Sequence, residues 1–168
     1  MRDLRDAAGI RGAESAHCDV GPILAAEERP LREVFQRGSN LRKVLIVDDS
    51  VSIRQMIGFA LRRGGYEVIE AENGCDALNK LATATVDLVL TDLNMPEMDG
   101  VALIRALRKQ TAMKNKPILM LTTEALGTQQ EKDGRAAGAT GWIVKPVDSA
   151  KLLQTLAKVL PQPHEDRP

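Results

Sequence analysis

The sequence predicts an α/β fold, a doubly wound parallel sheet with helices on both faces. Three observations carry that expectation. Short apolar runs without polar alternation read as strands buried on both faces. Each is followed by a segment with apolar residues at helical spacing. The alternation of strand then helix occurs five times, which implies right-handed crossovers in one sheet. Five such units in roughly 120 residues match a flavodoxin-like (βα)5 arrangement with strand order 2-1-3-4-5.

The elements follow in order. Lys43 begins KVLIVDDS, an apolar run that ends in two aspartates. Ser50 is placed to cap a helix carrying Ile53, Met56, Ile57, Ala60 and Leu61 inward. Gly64-Gly65 ends it, and Tyr66–Glu70 is a short second strand. Asn73 opens a helix with Ala77, Leu78 and Leu81 inward, and Val86–Asp92 is the third strand. Pro96 and Asp99-Gly100 mark the loop before a helix from Gly100 to Lys109, which buries Leu103, Ile104 and Leu107. The fourth strand is PILMLTT from Pro117, the fourth helix is a glycine-punctuated segment from Gly127 to Gly138, and Gly141–Lys145 is the fifth strand. Asp148 caps a last helix with Leu152, Leu153, Leu156, Val159 and Leu160 inward, and Pro161 ends it.

Residues 1–40 contrast with this pattern. They are rich in Gly, Pro and Arg, contain no Lys, and show weak periodicity. They are expected to form a poorly ordered extension before a folded domain at 41–160, with 161–168 a flexible tail. No second domain is expected after the last helix.

Composition excludes several function classes. Lys plus Arg equals Asp plus Glu at 23, so bulk charge gives no case for a nucleic-acid or membrane partner. Aromatics are 2% of residues, too few for base-stacking platforms or the walls of a flavin site. No apolar run approaches the ~18 residues of a membrane span, and the N-terminus lacks the apolar stretch of a secretion signal. Cys18 and Cys75 show no metal or redox spacing and are expected to be reduced thiols of a cytoplasmic protein.

In such a sheet, ligands bind at the carboxyl ends of the strands. Those ends here read Asp48-Asp49, Asp92, Thr122-Thr123 and Lys145-Pro146. A lone strand-end aspartate would cap a turn, and a lone strand-end lysine would be solvated. Three carboxylates beside one lysine are harder to explain. Two like charges about 5 Å apart repel by roughly 3 kcal/mol at an effective dielectric near 20. A bound cation relieves that, and oxygen ligands favour Mg²⁺ over Zn²⁺. The two histidines, His17 and His164, both lie in the tails. Any nucleophile for phosphate must therefore be a carboxylate or hydroxyl, and Asp92, on the central strand, is the natural choice.

The ordered motifs VDDS, VLTDLNMPEMDG, LMLTTE and GWIVKP resemble the receiver domain of two-component response regulators. Their gaps are 43 residues from Asp49 to Asp92, 30 more to Thr122 and 23 more to Lys145. The LTTE and GATGWIVKP wording is similar to single-domain chemotaxis regulators. The resemblance implies that Asp92 accepts a phosphoryl group from the phosphohistidine of a sensor kinase. It implies that Asp49 and Asp92 hold Mg²⁺ directly, with Asp48 acting through water and the Asn94 backbone carbonyl as a further ligand. Lys145 would pair with the phosphoryl oxygens, and Thr122 would move its hydroxyl onto them as a switch. Trp142 stands where the family usually has Tyr, Phe or His as a mobile aromatic. Thr123 replaces a usually small residue, and Glu97 bears on access to the acyl phosphate. A cis peptide is expected at Lys145-Pro146.

The expected protein is a signalling receiver that catalyses only its own phosphorylation and dephosphorylation. Its output would pass by protein contact to a target such as a flagellar motor switch component, or serve as a phosphate sink or meet a phosphatase. The alternative is a Mg²⁺-dependent phosphatase with an aspartate nucleophile. That class normally places an acid two residues after the nucleophile, where this chain has Asn94, and puts the nucleophile after the first strand.

Overall fold

A computed structural model describes residues 41–123 and 128–160. It contains β1 (Lys43–Val47), α1 (Val51–Arg63), β2 (Glu67–Ala71), α2 (Gly74–Leu81), β3 (Leu88–Asp92) and α3 (Gly100–Lys109). After a 3-10 turn at Thr111–Met113 come β4 (Ile118–Thr122), α4 (Gln129–Ala137), β5 (Gly141–Val144) and α5 (Ser149–Val159). All strand pairs are parallel, in the order β2-β1-β3-β4-β5. The flavodoxin-like expectation is met.

Strand alternation divides the core in two. On one face Val44, Ile46, Leu88, Leu90, Leu119 and Leu121 pack with residues of α1 and α5, including Ile57, Leu61, Leu152 and Leu156. On the other, Leu45, Val47, Val89, Ile118 and Met120 pack with residues of α2, α3 and α4, including Ala77, Leu103, Ile104, Leu107 and Ala137. Successive side chains of a strand point to opposite faces, so a central strand covered on both sides is apolar until it reaches the carboxyl edge, where Thr91, Asp92 and Thr122 stand. β3 and β4 are buried along their whole length.

The capping residues read from the sequence do cap. Side chains of Ser50, Asn73 and Asp148 accept hydrogen bonds from the amides of Ile53, Asp76 and Lys151, and Asp99, read from the sequence only as a turn residue, caps α3 in the same way through the Ala102 amide. Four details differ from expectation. Met56 is 45% exposed rather than inward, because the sheet covers a narrower arc of α1 than five apolar positions span. The 3-10 turn is too short to leave a periodic signal. α4 is shorter than the glycine-punctuated segment, beginning at Gln129 behind a Thr128 cap; Gly127 lies outside the described residues. Cys75, half-buried in the first turn of α2, is disulfide-bonded rather than reduced. Distance along the chain did not exclude pairing for a sulfur at an accessible helix end, and Cys18 lies outside the described residues. No helix among the described residues is long and apolar enough to cross a membrane.

Candidate functional site

The two-residue alternation that builds the core also builds the site. Asp48 follows Ile46 by two positions, Asp92 follows Leu90 by two, and Lys145 follows Ile143 by two. All three continue the row that faces α1 and α5. At the carboxyl edge they meet. Lys145 Nζ lies 2.9 Å from Asp48 Oδ2 and 2.9 Å from Asp92 Oδ1. One carboxylate oxygen from each of Asp48, Asp49 and Asp92 lies within 4.8 Å of the others. Asp48 and Asp92 are buried, and Asp49 is exposed.

Each acid is held differently. Both oxygens of Asp48 are engaged, Oδ2 by Lys145 and Oδ1 by the Ser50 amide at 2.8 Å. The Asp48 carbonyl accepts a hydrogen bond from Arg54 Nη1 at 2.5 Å, which ties the first turns of α1 to the acidic corner. Burial raises the Asp92 pKa, with Asp48 adding to that; the hydrogen bond and charge of Lys145 act against it without cancelling it. For Lys145, burial pulls the pKa down, but the hydrogen bonds and charges of Asp92 and Asp48 outweigh it, so the value is raised and the ammonium persists. The donors are all oxygen, crowded and partly buried, and one ammonium does not balance three carboxylates. That set suits a hard divalent cation such as Mg²⁺ and not a thiophilic metal.

Of the residues predicted for the site, the structure brings together Asp48, Asp49, Asp92 and Lys145. Asn94 is exposed two positions beyond Asp92 in the same loop. Thr122 ends β4, is buried, and its carbonyl accepts the Lys145 amide at 2.7 Å. Trp142 stands apart from the cluster. It pairs in register with Met120 and packs on the α2–α3–α4 side. Thr123 is exposed. The Lys145-Pro146 peptide is cis, as expected.

Sequence reasoning missed how the β3–α3 loop is fixed. Glu97 has a left-handed backbone, φ 65°, and its carboxylate accepts a hydrogen bond from Asn73 Nδ2 at 3.1 Å. The same Asn73 caps α2, so the loop after β3 and the start of α2 share one residue. Gly100 lies so close to the Asp92 carbonyl that a Cβ would overlap it. An Asx residue before a helix signals the cap; nothing in the sequence signals its second bond.

Comparison with known proteins agrees with this geometry. The response regulator receiver domain family matches residues 44–157. The chain is 42% identical to the chemotaxis protein CheY1 of Helicobacter pylori over 120 residues, 70% of this chain and 96% of that protein. Its structure is similar to that of chemotaxis protein CheY4 of Vibrio cholerae, with TM-score 0.69 and 48% identity, covering 71% of this chain and 99% of the other. It is also similar to the receiver domain of a sensor histidine kinase from Pseudomonas aeruginosa whose active-site cleft coordinates a magnesium ion. There the TM-score is 0.66 and the identity 28%, over 71% of this chain and 97% of the other. A five-stranded parallel sheet, an acidic edge closed by a strand-end lysine, and a family match across residues 44–157 together make this chain a member of the response regulator receiver family, similar to the CheY chemotaxis proteins.

Proposed function

We propose that this receiver stores a phosphoryl group on Asp92, accepted from a histidine kinase of a chemosensory system, and signals by protein contact. The observation that carries the reading is the 2.9 Å approach of Lys145 Nζ to Asp92 inside a cluster of three carboxylates. Residues 41–160 form the receiver in this reading, with 1–40 and 161–168 as flanking segments.

In this proposal an Asp92 carboxylate oxygen attacks the phosphorus of a phosphohistidine. The O–P bond of an acyl phosphate forms as the P–N bond breaks; the electron pair of that bond stays on the imidazole nitrogen, and the proton already on the other ring nitrogen lets the kinase histidine leave as neutral imidazole. Asp49, Asp92 and the Asn94 carbonyl would hold Mg²⁺ directly, and Asp48, whose oxygens are already engaged, would act through water. When bound, Mg²⁺ supplies positive charge that offsets the phosphoryl oxygens and the carboxylates. Lys145 supplies a fixed ammonium on the same side, and the Thr122 hydroxyl would turn to donate to a phosphoryl oxygen. Asp48 holds Lys145 in place and keeps its charge.

The chemosensory assignment is supported by the similarity to chemotaxis proteins from two organisms. The target in this reading is a protein such as a flagellar motor switch component. Incubation with acetyl phosphate and magnesium should add the mass of one phosphoryl group, in an acid-stable, hydroxylamine-labile linkage, and Asp92→Asn should abolish the gain. Wild-type protein that never gains that mass would end the proposal. Phosphotransfer profiling against the organism's histidine kinases would then name the donor.

A further inference from the structure

β5 is four residues long and links two chemically different ends. At its carboxyl end Lys145 touches the carboxylates of the site. Inside it, three residues earlier, the Trp142 ring faces α4. Arg135 of α4 places its guanidinium carbon 5.0 Å from the ring centroid. The guanidinium is itself oriented by Glu131 one turn earlier, with Nε at 3.2 Å and Nη2 at 2.8 Å from Oε1. Beside it, Gly134 brings the α4 backbone onto the strand. A Cβ there would lie 2.6 Å from Met120 Sδ and 3.3 Å from Trp142 Cζ2. The far end of α4 is anchored, because Arg108 of α3 donates two hydrogen bonds to the Gly138 carbonyl.

We propose that Arg135 is a positioning residue for the acidic pocket: it holds the Trp142 ring against α4 and, through β5, opposes displacement of Lys145 from Asp92. The proposal rests on the reading of Asp92 as phosphoacceptor. A phosphoryl group on Asp92 changes the size and charge of what Lys145 faces, so the lysine must shift. Val144 is in register with Thr122, and the Lys145 amide is bonded to the Thr122 carbonyl, so β5 has little slack to absorb that shift. Trp142 either takes α4 with it or leaves the Arg135 contact. An exposed cation–π pair biases such an equilibrium by about two- to fivefold. By linkage, removing it strengthens binding of any pocket ligand that needs the shift by the same factor.

Trp142 is the chain's single tryptophan, so its fluorescence reports the ring alone. In Arg135→Gln, acrylamide quenching should rise about twofold without ligand, and the midpoint of a beryllofluoride titration in magnesium should fall about two- to fivefold. Arg135→Lys keeps the cation and should lie between wild type and Arg135→Gln in both readouts. Tighter ligand binding is not a symptom of a damaged fold. Should Arg135→Gln not fold, Glu131→Gln, which removes the carboxylate that orients the guanidinium, should move both readouts the same way. Unchanged quenching overturns the proposal, and so does increased quenching with an unchanged midpoint. Wild-type protein that neither responds to beryllofluoride nor gains phosphate would defeat the phosphoacceptor reading instead. The quenching contrast would then decide alone whether Arg135 holds the ring.

Discussion

Lys145 Nζ reaches Asp92 Oδ1 at 2.9 Å although their strands, β5 and β3, are separated in the sheet by β4. The contact crosses the carboxyl edge over the end of the intervening strand, and it joins the two charges on which the proposed chemistry depends. Asp92→Asn removes this attraction together with two repulsions, from Asp48 and Asp49 at up to 4.8 Å. At an effective dielectric near 20 those gross terms, about 6 kcal/mol against about 3 kcal/mol twice, nearly cancel. Desolvation of the buried Asp92 carboxylate then sets the sign. In chelator, Asp92→Asn should be more stable than wild type by about 1 kcal/mol, or roughly 3 °C in melting temperature. Magnesium should narrow the gap by stabilising wild type more. Thermal melts with and without magnesium check this, and a variant that melts lower in chelator would contradict it.

Lys145→Ala should act in the opposite direction. It leaves Asp48, which is fully buried, without its cation. Breaking one side of a buried ion pair costs about 3 kcal/mol. Urea unfolding in chelator should show a loss of that order, and saturating magnesium should recover part of it. A loss below about 1 kcal/mol would mean that solvent already screens the pair.

Gly100→Ala tests how tightly the site loop is folded. The added methyl would overlap the Asp92 carbonyl oxygen, and the Gly100 amide is bonded to the Leu93 carbonyl at 2.9 Å. The helix start and the strand end must separate to make room. A methyl forced into such a contact destabilises by about 1–3 kcal/mol. Because the strain falls on Asp92 itself, the acetyl phosphate reaction should slow more than about tenfold, since small misplacements of a reacting group carry such penalties. Stopped-time mass spectrometry on folded variant reads that rate separately from stability.

The contrast between these residues shows what a sequence can reveal. The strands, the caps and the convergence of Asp48, Asp49, Asp92 and Lys145 were legible because each follows from a local rule. Apolar runs mark buried strands, and the two-residue period carries Ile46, Leu90 and Ile143 onward to the three charged residues of one row. The partners of Asn73 and Arg108, and the contact of Arg135 with Trp142, were not legible. Each joins segments that the crossovers bring together, and an arginine near a helix end reads from sequence as a solvated charge. Met56 was misplaced for a related reason, since periodicity gives the direction of a helix's apolar face but not the arc its neighbours cover.

Arg108 is the residue whose importance is least visible in the sequence. Its Nε and Nη2 reach the Gly138 carbonyl at 3.0 and 2.8 Å, and its Nη1 reaches the carbonyls of Met113 at 2.5 Å and Lys116 at 2.8 Å. One side chain thus fastens the 3-10 turn and the α4–β5 corner to α3. Arg108→Ala removes the arginine donor from the Gly138, Met113 and Lys116 carbonyls, of which Met113 keeps the Lys116 amide at 3.3 Å, and hydrogen bonds to a charged donor contribute about 1.5–3 kcal/mol each in favourable cases. A net loss of about 2–4 kcal/mol is expected, because water recovers part of it. Amide exchange should accelerate first in 113–118 and 134–140, and a change spread evenly over the sheet would argue against a local clamp.

Asp87 gives a pH test away from the acidic pocket. It precedes β3 at the opposite edge of the sheet, where its Oδ2 accepts the Lys43 amide at 2.9 Å and its Oδ1 lies 3.4 Å from Lys116 Nζ and 3.5 Å from Arg42 Nη1. Burial pushes its pKa up, but the Lys43 amide, Lys116 and Arg42 together outweigh burial and leave the value lowered. A carboxylate with a lowered folded-state pKa contributes stability above its unfolded value of about 3.9 and loses it as pH falls toward the folded value. Asp87→Asn keeps an acceptor for the Lys43 amide but loses the charge. It should therefore cost about 1 kcal/mol at neutral pH, where the partners are partly solvated. Urea unfolding from pH 7 down to pH 3 should show a constant gap between wild type and Asp87→Asn above about pH 5, then convergence as Asp87 is protonated in both states. A gap that widens on acidification would mean that the folded-state pKa is raised, and the assignment of the three partners as its cause would fall.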